Sequence, residues 1–64
     1  MKLAPRELWV LQMLAEGRTA RQAAHIGKIE LHTVNCYRKG MFAKLGAHTS
    51  AQAVAIAFRQ GLLK

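Results

Sequence analysis

The sequence predicts an all-α domain of four helices. Three observations lead there. Apolar residues recur at three- and four-residue intervals in four successive segments. Gly17, Gly27, Gly46 and Gly61 fall at the ends of those segments, where helices commonly stop. No segment alternates apolar with polar residues as a half-buried strand would. With 64 residues there is room for a single domain, spanning 1–64.

The first helix is expected over residues 5–16. Pro5 suits a first turn, where its missing N–H costs nothing. Leu8, Val10, Leu11, Leu14 and Ala15 follow at helical spacing, and Gly17 closes the segment. Thr19 with Gln22 forms a capping-box pattern for a short second helix, residues 20–26, which Gly27 breaks. Ala23 and Ala24 are small enough for close helix crossing, and Ile29 plugs the core from the turn. A third helix begins between Leu31 and Thr33 and ends before Gly46, with Val34, Tyr37, Met41 and Leu45 on one face. Thr49 and Gln52 repeat the capping pattern for a fourth helix, about 50–60, ahead of Gly61.

Composition narrows the function. Ten Lys and Arg stand against Glu7, Glu16 and Glu30, giving a formal charge of +7 with no acid beyond position 30. A small basic domain of this kind points to a polyanion, most often nucleic acid. A domain this short buries only about 60% of its unfolded surface, so oligomerisation would help its stability. The lone Cys36 forms no internal disulfide, and the start carries no signal-peptide pattern and no apolar run that could span a membrane. A cytoplasmic protein with no membrane partner is expected. Enzyme chemistry is excluded: the three acids with His25, His32 and His48 make no triad or metal-ligand spacing, and no glycine loop fits a phosphate. No metal, cofactor or small-molecule ligand is expected.

The second and third helices, joined by a turn of about four residues, have the form of a helix-turn-helix. Such a unit lays its second helix, here about 31–45, in the major groove of double-stranded DNA. With Val34 facing the core, steps of about 100° put Asn35, Cys36, Lys39, Gly40 and Ala43 on the outer half. Asn35 both donates and accepts, as an adenine edge requires; Lys39 donates to guanine acceptors; Cys36 offers a small contact to a thymine methyl. Thr33, Arg38 and Lys44 lie at the margins, suited to phosphates, and Arg21 and Lys28 extend that clamp. Tyr37 reads as a core residue with its hydroxyl at the rim. Gly40 either admits a close approach to DNA or marks a weak point in the helix.

Pro5-Arg6-Glu7, Val10-Leu11, Ala15-Glu16-Gly17, Thr33-Val34, Lys44-Leu45-Gly46, Ala53-Val54 and Gly61-Leu62 together resemble the LuxR/GerE-type DNA-binding domain of bacterial transcription regulators. The resemblance runs over almost the whole chain without gaps, and Thr33-Val34-Asn35 is most similar to the quorum-sensing branch. It implies a DNA-binding helix-turn-helix at about 20–39 and a homodimer formed through the fourth helix, and it adds Tyr37 to the residues near the groove. Departures from the usual pattern are Trp9 for a polar residue, Gln22 for an acid, Gly27 for an apolar residue, Glu30 for a capping serine, Tyr37 for a histidine and His48 for a basic residue. Ile26 and Ile29 are expected to compensate for Gly27.

Two features suggest contacts beyond DNA. The fourth helix is apolar nearly all round, with Ala51, Ala55 and Ile56 where polar residues are expected and Arg59 at its end; these form a candidate dimer surface. Trp9 and Met13, one turn apart, either form an exposed ridge for a partner or fold back on the core. The alternative function is therefore an interaction module that pairs with a larger LuxR-type regulator and modulates it. The chain is either a stand-alone domain or the C-terminal part of a sensor-containing regulator.

Overall fold

The computed structural model describes residues 3–63. Four helices follow one another: α1 (Pro5–Ala15), α2 (Ala20–Gly27), α3 (Leu31–Leu45) and α4 (Ser50–Arg59). The all-α expectation holds, with each predicted end within a residue or so of the observed one.

The starts follow local chemistry. Thr19 Oγ1 accepts the Gln22 N–H at 3.1 Å, and Gln22 Oε1 accepts the Thr19 N–H at 2.9 Å, so the box at α2 is complete. At α4 the Thr49 hydroxyl accepts the Gln52 N–H at 3.0 Å, but Gln52 reaches one residue further back, to the His48 N–H at 2.8 Å. Only half of a box serves α1: Glu7 Oε1 accepts the Ala4 N–H at 2.9 Å, and Ala4 has no side-chain oxygen to return. Glu30 caps α3 through its backbone carbonyl alone, taking the Thr33 and Val34 N–H groups.

The ends share one pattern. The Arg18, Ile29, Ala47 and Leu62 amides reach back to the Met13, Ala24, Phe42 and Ala57 carbonyls, the long bond of a Schellman closure. The left-handed residue that this closure needs is Gly17, Gly46 or Gly61 at three helices, and Lys28 at α2. Gly27, expected to break α2, is instead its last residue, and the connection to α3 shortens to Lys28, Ile29 and Glu30.

At the centre α1 crosses α3, and α2 and α4 each pack against both without meeting one another. The larger buried side chains, Val10, Leu11, Val34 and Met41, come from the central pair. From the flanking helices come alanines, Ala23, Ala24, Ala53 and Ala57, which let those helices lie close. Tyr37 and Leu45 border this core, as the spacing predicts, and so does Ile29 from the turn.

Trp9 and Met13 form no exposed ridge. Both are half-buried against the core, and the indole lies across Gly27: a Cβ there would stand 2.6 Å from Trp9 Cη2. The gap at Gly27 is thus filled from α1, and Ile26, expected to compensate, is 46% exposed.

Candidate nucleic-acid interface

Residues 20–45 form two helices joined by three residues, and α3 buries Val34 and Met41. The opposite side of α3 is open. His32, Cys36, Lys39 and Ala43 make one exposed stripe along it, with Asn35 half-buried at its edge. The residues in this stripe are small or polar, so a groove can admit the backbone closely. His32 was not among the predicted contacts, although its step of about 200° from Val34 puts it on this side.

The predicted phosphate contacts divide. Arg21 and Lys28 are exposed and form no ion pair among the described residues. Thr33 is half-buried in the first turn of α3, beside N–H groups that no side chain caps. Arg38 is half-buried with its guanidinium carbon 6.0 Å from the Phe42 ring centre, one turn on, a cation–π contact that steadies it. Tyr37 is half-buried against the core.

Lys44 and Gly40 depart from expectation together. Lys44 Nζ donates to Glu7 Oε1 at 2.6 Å, so its charge is engaged by α1. Gly40 faces α1 rather than the outer half: a Cβ on it would lie 2.5 Å from Glu7 Oε2. The glycine therefore makes room for a carboxylate. Glu7 is the one buried charged residue among the described residues, 7% exposed. The Lys44 hydrogen bond, then that from the Ala4 N–H, hold its carboxyl below the usual range, against the opposing effect of burial.

On α4, Ala51, Ala55 and Arg59 are exposed as expected, while Ile56 is half-buried on the chain's own core. The large apolar side chain left open is Phe58, 52% exposed, three residues beyond Ala55 on the same face. It was missed because the apolar run masks which side faces out. With Gln12, Ala15, Glu16, Leu62 and Leu63 it lines a shallow cavity of about 570 Å³.

A helix-turn-helix with an open, uncovered second helix is a form shared with known proteins. Residues 1–57 match the family model of bacterial regulatory proteins, luxR family. The chain belongs to that family. Among its relatives, the HTH-type transcriptional activator RamA of Corynebacterium glutamicum is 45% identical over 62 residues, covering 97% of this chain and 22% of RamA. The regulatory protein SdiA of Escherichia coli is 35% identical over 63 residues, 98% of this chain and 26% of SdiA. The crystal structure of the response regulator ChrA of a heme-sensing two-component system superposes with a TM-score of 0.93 at 32% identity, over 98% of this chain and 31% of that one.

The fold and family reading thus stands: this is a LuxR-family helix-turn-helix domain of DNA-binding transcription regulators, not an enzyme. The chain spans about a quarter of the length of the curated relatives it matches. No helix of the described residues is long and apolar enough to cross a membrane.

Proposed function

We propose that the domain acts in the cytoplasm, binding double-stranded DNA as a homodimer with α3 in the major groove. The observation that carries this reading is the open stripe His32, Cys36, Lys39 and Ala43 on α3, which nothing among the described residues covers. Asn35, Cys36 and Lys39 meet base edges, Asn35 at adenine and Lys39 at guanine. Arg21, Lys28, Thr33 and Arg38 hold phosphates, with the Tyr37 hydroxyl at the rim. His32 joins them from the first turn of α3. Lys44 is set aside, because Glu7 holds its ammonium. Dimerisation uses Ala51, Ala55, Phe58 and Arg59 of α4, and the two copies read half-sites about 34 Å apart.

Fluorescence anisotropy with a random-sequence duplex at several salt concentrations tests the electrostatic part. Affinity should fall with a log–log slope of about −0.9 for each phosphate neutralised. Undetectable or salt-independent binding would remove the reading.

The exposed Phe58 favours a second reading, in which α4 pairs with a larger family member and modulates it. In that case capture of a full-length relative survives Lys39→Ala and is lost on Phe58→Ser. Loss on Lys39→Ala as well would count against it.

A further inference from the structure

The end of α2 carries an anomaly. A glycine stands at position 27, yet the left-handed residue is the next one, Lys28, at φ 55 and ψ 44. Lysine is disfavoured in that conformation and, unlike Asn or Asp, has no short polar group to bond locally in return. Gly27 is therefore not placed for its backbone freedom. Trp9 accounts for it: a Cβ at 27 would lie 2.6 Å from Cη2 and 3.0 Å from Cζ2 of the indole. A Trp ring has no flexible end to swing aside, and this one is packed on the core. The helix end is thus fixed from two sides. The Lys28 and Ile29 amides bond the His25 and Ala24 carbonyls at 3.3 and 3.0 Å, and the indole bears on the last helical residue.

We propose that Trp9 is a positioning residue for the phosphate contact of Lys28. Seated in the notch at Gly27, the indole sets where α2 ends, and so the direction in which the lysine leaves its left-handed turn. The inference rests on the DNA-binding reading above. Lys28 is exposed and carries no ion pair among the described residues, so its amine is available to a phosphate once the turn is held.

The test measures salt slopes on a random-sequence duplex for the whole chain, Trp9→Leu, Lys28→Ala and the double variant, with folded fraction followed by circular dichroism. Trp9→Leu should make the slope shallower by about 0.9, one phosphate, matching Lys28→Ala. The double variant should lose nothing more. A merely structural role would lower the active fraction and leave the slope unchanged; that result, or two slope losses that add in the double variant, overturns the proposal. Gly27→Ala supplies a second route that keeps the indole. The emission of the sole tryptophan should shift as the ring is displaced, and the slope should fall by the same amount. Shifted emission with a wild-type slope overturns the proposal as well. If the unaltered chain shows no salt-dependent binding, the DNA-binding reading itself fails.

Discussion

Ala4 sits at the N-cap of α1 with φ −64 and ψ 154, the extended backbone that a capping residue adopts, but it offers no oxygen to the first turn. Glu7 already supplies the returning half of the box. Ala4→Thr should therefore complete it and stabilise the domain by about 0.5–2 kcal/mol. At roughly 4–8 °C per kcal/mol for a domain this small, calorimetry should register a raised Tm. Glu7 also contributes to the acid response. Its folded pKa is lowered by Lys44 and the Ala4 N–H. The stability it contributes is thus fully present above the unfolded value of about 4.3, and is lost as pH falls through the lower folded value. Glu7→Gln should cost about 1–3 kcal/mol at neutral pH, a charged hydrogen bond exchanged for a neutral one. That difference should close in urea titrations taken well below pH 4. A difference that persists unchanged in acid would show that the carboxylate charge is not what matters.

At the scale of elements, the helices were legible because their signals are local. Thr19 and Gln22, Thr49 and Gln52, and Gly46 act within a few residues of themselves, so spacing alone located the ends. What the sequence hid are pairings across elements. Trp9 with Gly27, Glu7 with Gly40 and Lys44, and the outward turn of Phe58 each depend on how α1 or α4 lies against its neighbours. Gly40 reads from the sequence as either a point of close approach to DNA or a weak point in α3, because the carboxylate it makes room for lies in another helix. The outer face of α3 was half legible: the 100° step found Cys36, Lys39 and Ala43, while a carboxylate on α1 removes Gly40 from it and engages Lys44 at its margin. The DNA-reading proposal makes this face separable from the phosphate clamp. Lys39→Ala or Asn35→Ala should cost about 1–3 kcal/mol at a cognate site and relax base preference, with random duplex little affected by Asn35→Ala. Competition binding against single-base variants of a selected site measures it. Equal losses at every variant would assign these residues to phosphates instead.

At the scale of the molecule, charge and apolar surface oppose one another. Each copy carries +7, and both ion pairs of the described residues, Lys44–Glu7 and Arg18–Glu16, leave Arg21, Lys28 and Lys39 without an acid partner. Bringing two such copies together through α4 costs repulsion that salt screens over about 8–10 Å, while the contact offers chiefly two alanines and Phe58. A patch that small should not by itself hold two strongly basic domains together in free solution. In the proposed reading duplex DNA would change the balance, because its phosphates would neutralise the clamp on each copy and bring the α4 faces together at high local concentration. The dimer of the proposal should therefore form on DNA rather than before it. Light scattering should give a monomer at low salt, and a duplex with two half-sites should bind a second copy more tightly than the first. Phe58→Ser leaves the charge and α3 untouched, so it should preserve affinity for a single half-site and abolish the preference for two. Equal weakening on one half-site and on two would place Phe58 in the fold's own packing and remove α4 as the dimer surface.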